Sequence, residues 1–148
     1  MALTTSTYLA DKSALARFPL APVARRLRPL MEEGLIATCA IVDLEVLYSS
    51  RNLGDYEEIL EERRSLDVAP ITPEVTMRAI ELQHELARRG QHRVPIPGLI
   101  ISAAAASAGL VVLHYDSDFP RLYGHAAQRL IAADQRDRPR GATKGRPA

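Results

Sequence analysis

The chain predicts an α/β domain built on a mainly parallel sheet. Three observations carry that expectation. Short apolar stretches with strand character alternate with helical patterns along the chain. The run Leu110-Val111-Val112-Leu113-His114-Tyr115 is continuously apolar until its end, as in a parallel strand covered on both faces. The Leu99 to Ala108 stretch just before it is Ala-rich and lacks a polar face, so it reads as a helix buried on most sides.

The elements follow in order. Thr4 to Ala10 is rich in strand formers and leads into Asp11. Ser13 to Phe18 makes one or two helical turns, stopped by Pro19. Pro22 suits the first turn of a helix that continues towards Gly34, with a kink or break expected at Pro29. Leu35 to Cys39 is a short apolar strand. Ala40 to Arg51 reads as a helix with Ile41, Leu44 and Tyr48 on its buried stripe, and Tyr56 to Ser65 as a more charged one. Val68 to Ile71 is a short strand. Thr72 is a good N-cap, Pro73 follows at the first helical position, and Val75, Ala79, Leu82 and Leu86 form the inner stripe of a helix ended by Gly90. Pro95 and Pro97 mark an irregular connection before the Leu99 helix, which Gly109 ends. Arg129 to Ala132 is a final strand.

A length of 148 residues suits one domain, and 47% hydrophobic content is ordinary for a globular core. The single cysteine, Cys39, excludes an internal disulfide and fits a reducing compartment. No apolar run reaches the ~20 residues needed to span a bilayer, and the N-terminus lacks the basic start of a signal peptide. A cytosolic protein is the expectation. The net charge of +1 is uneven: from Asp134 to Ala148 five basic groups face two acidic ones, a tail of +3 against −2 for the remainder. That Pro/Gly-containing segment has too few apolar residues to bury and is expected to be disordered. The chain thus divides into a domain over residues 1–133 and a basic tail over 134–148.

Four positions far apart in sequence converge on one expected site. Open α/β sheets bind ligands at the carboxyl ends of their strands. Asp11 follows the first strand, and Asp116 and Asp118 follow the most apolar one. Glu45 sits beside the apolar stripe of its helix, where a carboxylate is costly unless it is paired or ligates a metal. Gathered carboxylates repel one another, and a hard divalent cation such as Mg²⁺ or Mn²⁺ removes that cost while assisting phosphodiester hydrolysis. Each residue also has a plainer reading: Asp11 as a helix cap, Asp43 as a charge near a helix start, Glu45 as a surface residue, Asp116 and Asp118 as turn formers. The four histidines are scattered without metal-ligand spacing, and Cys39 reads as a small buried hydrophobe. Lys12, Arg121 and the cluster Arg88, Arg89 and Arg93 either meet substrate phosphates or are solvated charges.

In combination these pieces resemble the PIN-domain ribonucleases, and more closely VapC-type toxins of bacterial toxin–antitoxin pairs. The resemblance rests on Tyr8-Leu9-Ala10-Asp11-Lys12-Ser13-Ala14 and Asp43-Leu44-Glu45-Val46-Leu47-Tyr48-Ser49. It rests further on Ile96-Pro97-Gly98-Leu99-Ile100-Ile101-Ser102-Ala103-Ala104 and Val112-Leu113-His114-Tyr115-Asp116-Ser117-Asp118-Phe119, the most telling of the four. It runs from about Tyr8 to about Leu130. It implies a three-layer α/β/α domain and a Mg²⁺- or Mn²⁺-dependent endoribonuclease acting on structured RNA such as tRNA or rRNA. It implies Asp11, Glu45 and Asp116 as catalytic metal ligands, Asp118 as an accessory acid and Ser13 as the hydroxyl that orients Asp11. It also implies a homodimer and a VapB-like antitoxin. The antitoxin would lay an amphipathic helix between the helices carrying Leu47 and Tyr56 and place a basic side chain among the carboxylates.

One position departs. The family usually carries Asp after Ile-Pro, where this chain has Gly98. Glycine removes one ligand and one negative charge, so weakened or lost activity is expected. Gly98 reads as a selected or introduced loss, as a weakened natural enzyme, or as a local shift of the alignment. The rival from another class is a non-catalytic module that binds antitoxin or RNA without cutting. A phosphatase using Asp116 as nucleophile is weaker, since no matching Lys or Thr motif is visible.

Overall fold

A computed structural model describes residues 6–115 and the backbone of the strand at 128–130. The elements are β1 (Tyr8–Ala10), α1 (Lys12–Leu15), α2 (Ala21–Glu32), β2 (Ile36–Thr38), α3 (Ala40–Tyr48), α4 (Leu53–Arg64), β3 (Asp67–Val68), α5 (Pro73–Arg88), α6 (Ile96–Ala108), β4 (Val111–His114) and β5 (Gln128–Leu130). The strands form one parallel sheet in the order β3-β2-β1-β4-β5. The order turns back between β1 and β4, and this is the switch point at which open α/β sheets make a crevice.

Strand alternation sorts the core into two layers. Leu9, Ala37 and Val112 point to one face, where they meet Val42 of α3, Val75, Ala79 and Leu86 of α5, and Leu99 and Ile101 of α6. Ala10, Ile36 and Leu113 point to the other, where they meet Ala14 of α1 and Val23 and Leu27 of α2. A period of two along three-residue strands thus yields the three-layer α/β/α arrangement expected from the resemblance.

Several boundaries differ from expectation. Pro29 does not break α2, which runs uninterrupted to Glu32. Pro29 lies on the exposed side, where water can serve the carbonyl its ring leaves without a donor. The irregular connection before α6 is shorter than predicted: the helix begins at Ile96, because Pro97 falls in the first turn, where no intrahelical donor is needed. Helix α4 starts at Leu53, capped by the Asn52 side chain through the Asp55 N–H at 2.9 Å. Strand β3 has two residues only, and α3 ends at Tyr48 rather than Arg51.

The stripe assigned to α3 is the main correction. Leu44 is 62% and Tyr48 89% exposed, while Val42 and Leu47 are buried. The helix is apolar nearly all round, so periodicity alone does not choose its inner face. No described helix is long and apolar enough to cross a membrane. The expected tail over 134–148 lies outside the described residues.

Candidate metal centre

Asp11 is placed by the end of β1. Its N–H donates to the Leu113 carbonyl of β4 at 2.9 Å, so the residue sits where β1 and β4 end together. Only 3% of Asp11 is exposed. Its Oδ2 accepts from the Ser13 N–H at 3.1 Å and from Ser13 Oγ at 2.6 Å. Asp11 therefore does cap α1, as its plainer reading held, but one carboxylate oxygen does all of that work. Oδ1 has no hydrogen-bond partner among the described residues. Ser13 Oγ also accepts from the Tyr115 N–H at 3.1 Å. The hydroxyl thus ties the first acid to the last described residue of the β4 end, next to the position of Asp116.

Glu45 reaches the same place from α3. It is half-buried on the helix. Burial first, and the nearby Asp11 carboxylate second, push its carboxyl above the ordinary range, while Lys12 partly offsets both. A half-buried carboxylate raised further by its acidic neighbour, beside one with an open oxygen, supplies donors suited to a hard cation. Among the described residues no three acidic, histidine or cysteine side chains gather. Asp116 and Asp118 lie outside the described residues, as do His125 and Arg121.

Gly98 is buried in the first turn of α6. That helix runs directly through Gly109 into β4, so its start lies towards the carboxyl ends of the strands. Its first turn carries no acidic residue. An aspartate at this first-turn position would suit the helix N-terminus electrostatically.

Asp43 proves to be more than a charge near a helix start. Its Oδ1 accepts from Arg63 Nε at 2.8 Å and from Thr38 Oγ1 at 2.8 Å, while Arg63 Nη2 donates to Thr38 Oγ1 at 2.7 Å. Arg63 is 8% exposed. The closed triangle pins α3 and α4 to the end of β2. Sequence reading missed it because its members are 5, 20 and 25 residues apart in pairs and share no motif. Arg17 was missed likewise. Its Nη1 donates to the Ser13 carbonyl at 3.1 Å and its guanidinium lies 4.5 Å from the Tyr115 ring centroid. Cys39 is fully buried, and burial is the main cause that raises its thiol pKa. His114 is fully buried in β4, whereas His84, His92, Arg88, Arg89 and Arg93 are exposed, consistent with structural and solvated roles.

Comparison with known proteins places the fold in a family. The chain matches the PIN domain over residues 8–125. It is 47% identical to ribonuclease VapC21 of Mycobacterium tuberculosis over 120 residues, covering 80% of this chain and 87% of the relative. Ribonuclease VapC51 of the same species is 41% identical over 112 residues, covering 76% and 82%. Among solved structures, DNA-bound VapBC from Salmonella typhimurium superposes with a TM-score of 0.67 at 18% identity, covering 86% of this chain and all of that one, a likeness of fold. The chain belongs to the PIN-domain family, and within it to the VapC-type ribonucleases.

Proposed function

We propose that this protein is the toxin of a toxin–antitoxin pair, a metal-dependent endoribonuclease for structured RNA such as tRNA or rRNA, weakened by Gly98. The observation that carries the reading is Asp11 at the β1–β4 switch point, with Ser13 bridging it to Tyr115, the residue before Asp116, and Glu45 on α3 near enough to feel the Asp11 charge. Asp11, Glu45 and Asp116 would hold Mg²⁺ or Mn²⁺, with Asp118 assisting. Such a cation polarises the scissile phosphate and offsets the charge that develops there. Ser13 fixes the direction in which Asp11 presents its open oxygen. Lys12, close enough to Glu45 to lower its pKa, balances the crevice before RNA arrives. The cytosol, where such RNA resides, is the compartment this function requires.

A VapB-like antitoxin suits the α3–α4 side. Leu44, Tyr48, Leu53 and Tyr56 are exposed there beside Glu45, an apolar strip for an amphipathic helix whose basic side chain would enter the crevice. Met77, Ile80 and Ile96 are exposed on α5 and α6, supporting a second copy of the chain at that face.

Calorimetric titration of Mn²⁺ into the protein and its Gly98→Asp form, with RNA cleavage assayed beside it, tests the reading. Tighter binding and faster cleavage by the aspartate form are expected, since even an outer ligand partner is worth ~10–100-fold in affinity. Failure of both forms to bind the ion would overturn the metal site. The second reading, a binding module without catalysis, is favoured by one observation only, the buried Gly98 in place of a carboxylate. It predicts that the chain binds RNA or antitoxin but cleaves nothing at saturating Mn²⁺.

A further inference from the structure

We propose that the groove on α2, opening beside the acid crevice, binds an unpaired stretch of RNA adjacent to the bond that is cut. The inference rests on the RNA reading above and names where the substrate strand runs. Residues 12–31 contain five basic side chains, Lys12, Arg17, Arg25, Arg26 and Arg28, and no acidic one. Arg25 and Arg28 are exposed and lie three apart on α2, on the face turned away from the buried Val23 and Leu27. Between them and the preceding turn lies a groove of about 530 Å³ lined by Phe18, Pro19, Ala24, Arg25, Arg28 and Pro29. Its walls are mostly apolar and its rim is cationic.

That combination fits a splayed single strand. Bases leave water onto aromatic and apolar surfaces, while guanidinium groups serve the phosphates and stack on rings. The Arg28 guanidinium lies 5.6 Å from the Phe18 ring centroid, so a cation and an aromatic already share the wall. The groove is also joined to the candidate centre. Arg17, next to Phe18, holds the Ser13 carbonyl and covers Tyr115, while Ser13 holds Asp11. A strand with its phosphate at Asp11 would thus pass Arg17, whose chain neighbour Phe18 lines the groove with Arg25 and Arg28.

Two other surfaces fit RNA less well. Residues 52–62, most of α4, carry five acidic side chains and no basic one, which repels a polyanion from that side. The groove of about 300 Å³ between α5 and α6 is lined by Thr76, Ala79, Ile80, Gln83 and Ile96 among others and has no charged group.

The test uses the full chain in EDTA, so that binding is read without cleavage. A short fluorescent RNA without secondary structure is titrated and followed by anisotropy at several salt concentrations. The double change Arg25→Ala/Arg28→Ala is compared with Arg88→Ala/Arg89→Ala, which removes the same charge from an exposed site elsewhere. Expected is a loss of about tenfold or more, with a shallower salt dependence by about one to two phosphate contacts, for the α2 pair alone. Phe18→Leu should weaken binding about fivefold or more with the salt slope unchanged, which separates stacking from charge. Equal losses for both arginine pairs would reduce the effect to net charge and overturn the proposal. RNA binding unchanged by the α2 pair would also overturn it and leave the groove to another occupant, such as a partner peptide. A parent chain that binds no RNA would sink the RNA reading as well, so the two failures are distinguishable.

Discussion

Glu45 illustrates how one residue can be costly to the fold and useful to the site. Burial and Asp11 raise its pKa in the folded chain above the unfolded value. A raised acid contributes stability that is fully present below the unfolded pKa and lost as pH rises through the folded one. Glu45→Gln should therefore raise the melting temperature of metal-free protein at pH 7 and give no such gain near pH 3. With Mn²⁺ present the order should reverse, because the amide is the poorer ligand. A glutamine form less stable than the parent in EDTA at neutral pH would show that Glu45 has a cationic partner in the fold. Cys39 carries a second expectation at this scale. Its burial should make the thiol react with an exposed-thiol reagent at least tenfold more slowly in the folded than in the urea-unfolded chain. The place of Asp11 was legible in the sequence because the end of an apolar strand fixed its neighbourhood. The orientation of α3 was not: Ile41, Leu44 and Tyr48 made as good a stripe as Val42 and Leu47, and only the packing of α6 and the sheet distinguishes them.

Elements here are joined by polar contacts that sequence patterns cannot show. The Thr38–Asp43–Arg63 triangle fastens the α3–α4 pair to β2, and through α3 it sets where Glu45 stands. Arg63→Met would remove the guanidinium bonds to Asp43 and Thr38, leaving Asp43 only the Thr38 hydroxyl as a side-chain donor. The expected loss is roughly 1.5–3 kcal/mol in urea unfolding, the range for hydrogen bonds to charged groups. Mn²⁺ affinity should fall with it, since the change acts on the helix that carries Glu45. Thr72→Ala at the start of α5 should cost about 1 kcal/mol, because the Thr72 side chain accepts from the Val75 N–H at 3.2 Å. That cap was legible from Thr72-Pro73 alone, as were the ends at Gly90 and Gly109, both left-handed. Helix starts at prolines were less so, since a proline marks a first turn and a break equally well.

At the scale of the molecule, the two layers have different strengths and different charge. The α1–α2 side has a small core around Leu27, which is fully buried. Leu27→Ala should cost about 2–5 kcal/mol by chemical denaturation, the range for deleting a buried leucine. The α2 surface is basic and the α4 surface acidic, so polyanions and cationic segments are directed to opposite sides of the crevice. The α/β class and the parallel sheet were legible from the alternation of strands and helices, and the three layers from the family resemblance. The strand order was not, because nothing local says that β4 returns beside β1.

That return has a consequence for synthesis. Ser13 meets Tyr115 across 102 residues, and Asp11 is held by Leu113. During translation the first strand, α1 and even Glu45 emerge long before their partner strand exists. Long-range parallel pairing is slow to form, and here it waits until β4 has been made. A nascent chain that stops short of β4 carries the early acids but no assembled crevice. A ribosome building this protein therefore meets the joined ends of β1 and β4 only after β4 has emerged.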